Sequence, residues 1–324
     1  MDFSLTRLVI LIGCIATEAA AQTGAVYPVK PVRVVIGYTA GGTADIVARI
    51  IGQKLGEGWD QPVIVDPRPG AAGNLAAEHV VKAVPDGYTL LLGQNSITVS
   101  PALYPNLSYD LQRDLVAVAS AIVMPHVIVV HPNFPAHDVK GLIALSKARP
   151  KEILFASTGH GNADHMATEL FNTMAGTQMV HVPYKGSPQV LTDVAGGEIP
   201  VYFAGLASVT QMLRSGRLRG IAVTSKVRAK AVPQLPTIAE SGVPGYEAVQ
   251  WTGYFAPAAT PRNVTERLAV DINRVLAMPD TIERLANAGV DPFPGTPEQF
   301  GRLIWAETEK WSGVVKRLGL QLDK

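Results

Sequence analysis

The 324-residue chain is predicted to fold as an α/β protein with two lobes and a ligand cleft between them. Short apolar runs rich in β-branched residues alternate with amphipathic segments along most of the chain. That alternation is typical of largely parallel sheets flanked by helices. A Pro/Gly-rich segment at residues 233–245 is interpreted as a surface loop where the chain could return from one lobe to the other.

We place the first lobe at residues 22–125 plus 248–324 and the second at residues 126–247. Two sub-sheets joined by two chain crossings would leave a cleft between the lobes, which is where small ligands usually bind. The chain is long enough for its stability to come from core burial alone.

Seven apolar runs are predicted as strands: residues 32–38, 88–93, 116–130, 153–157, 179–183, 199–203 and 219–224. The segment 43–57, after the first strand, carries its apolar residues on one helical face. A second helix follows the fourth strand. Further helix starts are marked by Ser187-Pro188, by Thr260-Pro261 and by a capping box that begins at Thr296.

The N-terminus has the three-part layout of a secretory signal peptide over residues 1–21. A short basic segment precedes an apolar run that is too short to span a bilayer, and an Ala-x-Ala pattern ends at Ala21. We therefore expect an exported, periplasmic protein. Cys14, the single cysteine, loosely matches a lipoprotein box, but we expect no lipid anchor there because only a short apolar run precedes it.

Composition excludes several functional classes. The formal net charge is +1 and no Lys/Arg run exists, so nucleic acid and anionic membranes are poor partners. Cleavage after Ala21 would remove the only cysteine, and with it any disulfide, zinc–thiolate site or cysteine nucleophile.

Two glycine-rich turns between a strand and a helix are candidate anion sites. Residues 37–45 bring Gly41 and Gly42 to a helix start, where backbone N–H groups and the helix dipole favour a negative charge. Residues 157–165 repeat this arrangement. Together they resemble two jaws of a carboxylate site, although either turn could be purely structural.

Enzymatic and metal interpretations of the second turn are weaker. Ser157 and His165 could be a nucleophile and its base, but the surrounding sequence is not G-x-S-x-G. Gly159 and Gly161 lack the third glycine of a dinucleotide fingerprint, so no cofactor is expected. His160 and His165 lack a third ligand at useful spacing, so no metal is expected.

Other polar candidates follow predicted strands, namely Gln94, Asn95 and Ser96 after one strand and Tyr184 after another. The carboxyl ends of strands are where clefts in α/β proteins bind ligands. His126 and His131 lie beside prolines and are interpreted as structural or exposed.

Several segments, in their order and spacing, resemble the substrate-binding proteins of tripartite tricarboxylate transporters, the Bug family. The resemblance covers nearly the whole chain after the signal segment. It is carried by Ala40-Gly41-Gly42-x-x-Asp45, by RPGAAGN at 68–74, by PDGYTL at 85–90, by Ser157-Thr158-Gly159-x-Gly161 with His165, by HVPYKG at 181–186, by SGRLR at 215–219, and by Trp251 with Phe255-Ala256-Pro257.

The resemblance implies a type II periplasmic binding protein fold that closes on its ligand. Family members hold a carboxylate mainly through backbone amides and ordered waters of the two glycine-rich loops. With the polar candidates added, the expected ligand-binding residues are Tyr38, Ala40, Gly41, Gly42, Asn95, Ser96, Ser157, Thr158, Gly159, Asn162, His165, Tyr184 and Ala204.

Two of these positions depart from the family pattern. Asn162 stands where a Ser or Thr is usual, and Ala204 stands where members commonly carry an acidic residue or its amide. In members that bind amino acids, a carboxylate at that position can face the ligand ammonium group. We therefore predict that this protein does not bind amino acids.

The sequence thus predicts a non-enzymatic, monomeric binding protein. It would capture a small mono- or dicarboxylate, aromatic ligands included, and deliver it to the membrane subunits of a tripartite tricarboxylate-type transporter. Two alternatives stay open at this point. One is an exported Ser/His hydrolase, and the other is a sensory protein of the same fold that presents its ligand to a receptor.

Overall fold

The computed structural model describes residues 27–184 and 186–320. The predicted signal peptide, Cys14 and Lys185 lie outside these residues. Within the described ranges, none of the helices combines the length and the apolar character needed to cross a bilayer.

The predicted alternation of strands and helices is confirmed. The strands are β1 (Val32–Ile36), β2 (Val63–Pro67), β3 (Thr89–Gln94), β4 (Leu115–Val130), β5 (Leu154–Ser157), β6 (Val180–Pro183), β7 (Val201–Gly205), β8 (Arg219–Val223), β9 (Val249–Pro257) and β10 (Asp291–Pro292). The helices are α1 (Thr43–Trp59), α2 (Asn74–Val81), α3 (Ser96–Leu103), α4 (Leu111–Asp114), α5 (Val139–Ala148), α6 (Ala163–Ala175), α7 (Ser187–Gly196), α8 (Leu206–Arg214), α9 (Arg262–Leu276), α10 (Pro279–Asn287) and α11 (Pro297–Leu318), with a 3₁₀ turn at Ala71–Gly73.

Local signals placed one helix start correctly, one a residue late and one a residue early. The capping box at Thr296 is present, with Thr296 Oγ1 accepting from the Gln299 N–H at 3.2 Å. At α7 the N-cap is Gly186 instead of Ser187, and at α9 it is Pro261 instead of Thr260. Pro188 still lies in the first turn of α7, because its fixed φ and missing N–H suit that position.

The sheets are joined through one long strand. β2, β1 and β3 are parallel, and β9 runs antiparallel between β3 and β4. The pairing of β4 with β9 extends to Pro125↔Val249, and its pairing with β7 begins at His126↔Gly205. Beyond that point β7, β5 and β6 form the second sheet, with β8 also against β4. One strand therefore passes from the first sheet to the second between Pro125 and His126.

The strand β9 was not predicted. Its sequence, VQWTGYFAP, contains a glycine and polar residues, and so lacks the run of β-branched residues that marks the other buried strands. Tertiary contacts make it a strand, because it is hydrogen-bonded on both sides, to β3 and to β4.

Helix α11 contributes to the cores on both sheets. Its N-terminal Phe300 and Ile304 pack with the core of the first sheet. Its later residues Trp311, Val314 and Val315 pack with the core of the second sheet. The proposed lobe boundaries remain a prediction. In particular, the C-terminal half of α11 packs against the sheet that we assign to the second lobe.

Candidate functional site

A cavity of about 260 Å3 opens where the two sheets meet. Its wall contains six of the predicted ligand-binding residues: Tyr38, Gly42, Asn95, Ser96, Thr158 and Asn162. Gln94, a polar candidate from the sequence, also lines it. The two glycine-rich loops therefore reach one cavity from different sheets, as the two-jaw arrangement requires.

Five helices begin at this cavity. They are α1, α3, α6, α7 and α8, with N-cap residues Gly42, Asn95, Asn162, Gly186 and Gly205. None of these N-cap residues makes a side-chain capping hydrogen bond. A helix N-terminus carries partial positive charge and N–H groups without helical partners, so these five ends together favour an anion in the cavity.

An aspartate at the start of α1 holds the first loop. The Gly41 N–H donates to Asp45 Oδ2 at 3.0 Å, and Arg49 pairs with the same carboxylate at 2.9 Å. The hydrogen bond from Arg49 keeps the pKa of Asp45 below its usual range. Gly41 also has a φ of +83°, a conformation that glycine adopts without strain.

The second loop repeats this device with a buried aspartate. The Thr158 N–H donates to Asp164 Oδ2 at 2.7 Å. Asp164 is only 4% exposed and lines the cavity, and burial raises its pKa to about 6. A carboxyl group that titrates inside a site for anions makes the charge of that site depend on pH.

A hydrogen-bonded chain supports the cavity from the first sheet. Ser96 Oγ donates to the Ala72 carbonyl at 2.7 Å, and the Tyr38 hydroxyl lies 2.7 Å from Ser96 Oγ. Burial raises the pKa of Tyr38 to about 12, so its hydroxyl stays protonated. The Asn95 side chain bridges to β9, donating to the Val249 carbonyl at 2.8 Å and accepting from the Trp251 N–H at 2.7 Å.

Three histidines pack together behind the second loop. The His165 and His181 rings are stacked with centroids 3.9 Å apart, and the His160 ring lies edge-on to both. His165 Nδ1 accepts from the Gly161 N–H at 3.1 Å, and His181 Nε2 lies 2.5 Å from Ser157 Oγ. Burial lowers the pKa of His165 to about 2 and that of His181 to about 4.

His181 is the third histidine of this cluster, and the sequence spacing had not placed it beside His160 and His165. The ring nitrogens of the three histidines lie within 4.8 Å of one another. However, two stacked rings hold their in-plane lone pairs in two nearly parallel planes, whereas metal ligands must converge on one ion. Nitrogens of His165 and His181 are also engaged with Gly161 and Ser157. The expectation of no metal site remains a prediction.

The pairing required by the hydrolase alternative does not form as the sequence suggested. Ser157 is paired with His181 instead of His165, and Ser157 is fully buried. Its Oγ also accepts from the Gly159 N–H at 3.1 Å, so this hydroxyl braces the loop. A nucleophile needs access to substrate, which this buried position does not provide.

Seven predicted ligand residues do not line the cavity: Ala40, Gly41, Ser157, Gly159, His165, Tyr184 and Ala204. Ala40 and Gly41 are exposed at the tip of the first loop. The Tyr184 hydroxyl donates to Asp193 at 2.7 Å. Ala204 is fully buried and pairs with Val127 inside the sheet. A contact between any of the seven and a ligand remains a prediction.

Sequence reasoning missed several residues of the wall: Thr39, Thr43, Met124, His126, Asp164, Ser187, Tyr202, Gly205, Ser208 and Gln250. Asp164 and Ser187 could have been found, since both lie in the first turn of a helix that follows a predicted strand. His126 and Gln250 had a weaker signal. His126 lies where β4 passes between the sheets and Gln250 lies on the neighbouring strand β9, and this pairing is visible only in the fold.

The chain matches the family model described as the tripartite tricarboxylate transporter family receptor over residues 47–320. It is 35% identical to the protein BugT of Bordetella pertussis over 324 residues, which covers 98% of this chain and 99% of BugT.

Solved structures of periplasmic binding proteins are also similar to this chain. The chain is similar to Rpa4515 of R. palustris with adipate, with a TM-score of 0.82, 34% identity and coverage of 91% of this chain and 100% of the other. It is also similar to MatC of Rhodopseudomonas palustris with bound malate, with a TM-score of 0.79, 29% identity and coverage of 89% and 100%. The chain therefore belongs to the tripartite tricarboxylate transporter receptor family of periplasmic solute-binding proteins.

Proposed function

We propose that this protein captures a small organic carboxylate in the periplasm and delivers it to the membrane subunits of a tripartite tricarboxylate-type transporter. The observation that carries the proposal is the convergence of five helix N-termini without side-chain caps on one cavity. Among the described residues that line it there is no Lys or Arg, so the helix ends would supply the attraction for the anion.

The helix ends fall into two groups. α1 and α3 start from strands of the first sheet, whereas α6, α7 and α8 start from strands of the second. A ligand with a carboxylate at each end could engage both groups at once, and a monocarboxylate could engage only one. Adipate and malate, which are bound to two structural neighbours, are both dicarboxylates and agree with this arrangement.

The proposals of export and of transport are supported by the N-terminal sequence and by the family, respectively. The signal-peptide pattern at residues 1–21 supports a periplasmic location. The family description supports partnership with a transporter, although a sensory protein of the same fold would bind its ligand in the same way. The structure gives no support to a hydrolase, because Ser157, the hydroxyl of the Ser157–His181 pair, is fully buried.

The proposal is tested with the chain from Gln22 onward in a thermal-shift screen followed by calorimetry. Aliphatic and aromatic mono-, di- and tricarboxylates are compared with amino acids, sugars and nicotinamide. A ligand that binds only the folded state raises the unfolding midpoint by mass action. We expect a shift with one carboxylate class and recovery of the ligand unchanged.

The screen can also contradict the proposal or identify an enzyme. No shift with any carboxylate would contradict the proposal, and consumption of the ligand would identify an enzyme. The screen also tests the exclusion of amino acids, which was inferred from Ala204. Since Asp164 does place a carboxylate in the cavity, an ammonium group has one acidic residue that it could contact.

Delivery to a transporter needs a separate test in cells. Uptake of the labelled ligand is measured in a strain that lacks this protein, with and without the restored gene. Uptake that depends on the protein supports transport. Normal uptake without it, together with loss of a transcriptional response to the ligand, supports the sensory alternative.

A further inference from the structure

His126 occupies the point where the long strand β4 passes from one sheet to the other. Its neighbour Pro125 is the last residue of β4 paired with β9, and His126 is the first paired with β7. The residue lines the cavity between the two groups of helix N-termini. A ligand held by both groups would therefore pass over this histidine with its central carbons.

The pairing of β4 and β9 turns three side chains to the same side. Met124 and His126 are two residues apart on one strand and so share a face. Gln250 lies opposite Met124 in the antiparallel pair, which places it on that face as well. All three line the cavity, so the paired ends of β4 and β9 form one of its walls.

The His126 side chain lacks a partner in this wall. It is 2% exposed, and its Nδ1 is buried without a hydrogen bond to any described residue. The backbone of His126 is fully engaged, donating to Thr224 Oγ1 at 2.8 Å and accepting from the Thr224 N–H at 2.9 Å. Buried polar groups in native proteins are almost always hydrogen-bonded, so an imidazole without a protein partner in a cavity wall is available to a ligand.

A second unpartnered atom, Asn162 Oδ1, indicates which functional group the ligand would carry. Asn162 Nδ2 donates to the Thr158 carbonyl at 3.2 Å, which fixes the orientation of the amide. Asn162 Oδ1 is then left as a buried acceptor without a partner. It requires a donor, which an unsubstituted carbon chain between two carboxylates does not offer.

A hydroxyl group satisfies both requirements when the His126 nitrogen carries the proton: it accepts from that N–H and donates its single proton to an acceptor such as Asn162 Oδ1. A keto oxygen can only accept, so it would leave Asn162 Oδ1 without a donor. Burial lowers the pKa of His126 to about 4, so the ring is neutral at pH 7 and acts by hydrogen bonding instead of by charge.

We propose that His126 is a specificity-determining residue that hydrogen-bonds a hydroxyl substituent of the ligand, so that the site prefers hydroxycarboxylates to their unsubstituted counterparts. The inference rests on the proposed function, because it concerns the same cavity. The helix ends attract any carboxylate, and His126 would select among carboxylates.

Calorimetry with two matched ligand pairs at pH 7.5 tests the inference. The pairs are succinate with malate and glutarate with 2-hydroxyglutarate, and each differs by a single hydroxyl. We expect the hydroxylated member of at least one pair to bind about tenfold more tightly to the wild type, the effect of one well-formed hydrogen bond. In His126→Leu the two members should bind equally, with the loss confined to the hydroxylated one.

Two further variants control for unfolding and for general effects. His126→Asn retains a polar group and should keep part of the preference. His131→Leu, the next histidine along the chain and not in the cavity wall, should keep all of it. Removing an unpartnered buried polar group is not expected to unfold the protein, and circular dichroism of His126→Leu checks this.

The results separate the inference from the proposed function. An unchanged preference in His126→Leu, or a wild type that favours the unsubstituted acids, overturns the role of His126. Binding of other carboxylates but none of these four also overturns it, and leaves the proposed function standing. Binding of no carboxylate at all overturns both.

Discussion

Three histidines and one buried aspartate have pKa values well away from their ordinary ranges. Desolvation lowers the pKa values of His126, His165 and His181, because each ring is easier to keep neutral than to charge inside the protein. Desolvation raises the pKa of Asp164 to about 6 for the same reason. The two kinds of residue therefore affect stability in opposite directions as the pH falls.

The direction in which stability changes with pH depends on whether the folded or the unfolded state binds more protons. The folded state keeps His126 neutral down to about pH 4, whereas the unfolded chain protonates it near pH 6.5. Between these values the unfolded state binds more protons, so stability is complete above pH 6.5 and is lost as the pH falls toward 4. For Asp164 the folded state binds more protons between about pH 4 and 6, so acid stabilises the folded form there.

We predict that His126→Leu makes unfolding less sensitive to acid. The free energy of unfolding of the wild type should fall with a contribution from His126 of about 1.4 kcal/mol per pH unit between pH 6.5 and 4. The variant should lack that contribution. Urea unfolding at half-unit steps of pH measures both slopes.

Met124→Leu is the matched control for this measurement. It changes a neighbouring wall residue on the same strand without removing a titratable group, so the slope of the wild type should persist. Equal slopes in His126→Leu and the wild type would show that His126 is solvated in the folded state.

At the scale of elements, the site consists of helix starts more than of side chains. The same arrangement of strand, glycine-rich turn and helix occurs at α1 and at α6, each with an aspartate in the first turn of the helix that accepts a hydrogen bond from the loop. Binding through backbone amides is altered by substitutions that remove an N–H or move the helix.

Proline at the first helical position removes one N–H and leaves the helix intact. The N-cap residues Gly42 and Asn162 have ψ values of 172° and 161°, the extended conformation that a following proline requires. We predict that Thr43→Pro and Ala163→Pro keep the unfolding midpoint close to that of the wild type. Affinity for the carboxylate found in the screen should fall about tenfold or more, because a hydrogen bond to a charged group is lost.

Arg262→Pro is the corresponding control, at the start of α9 after an N-cap residue with ψ of 137° and outside the cavity wall. It should leave affinity unchanged. If Thr43→Pro and Ala163→Pro both bind like the wild type, these amides do not contact the ligand, and side chains must carry the recognition.

At the scale of the whole molecule, β4 connects the two sheets, and where it passes between them it forms a wall of the cavity together with the end of β9. A change in the angle between the sheets would alter the site directly. Helix α11 adds a further connection, because its two halves pack with the two cores.

We predict that the carboxylate shifts the protein toward a more closed form, since a ligand that contacts helix ends on both sheets favours the state in which they are near each other. Small-angle X-ray scattering should show a smaller radius of gyration at saturating ligand than without it. Ala163→Pro at the same ligand concentration, if unsaturated, should resemble the free wild type. An unchanged radius for the saturated wild type would mean that the sheets do not close on the ligand.

The sequence by itself determined the α/β class, most strands, five of the eleven described helices and the two glycine-rich loops, because these depend on local periodicity and on residues at helix ends. Its motifs also indicated the family, and six of its thirteen candidate ligand residues line the cavity. Only the tertiary structure decided that β9 is a strand between β3 and β4, that Ser157 pairs with His181 across 24 positions of sequence, and that His126 and Asp164 lie in the cavity wall. These features depend on which strands become neighbours and which side chains lose solvent. Both are set by long-range packing, of which a local stretch of sequence carries little trace.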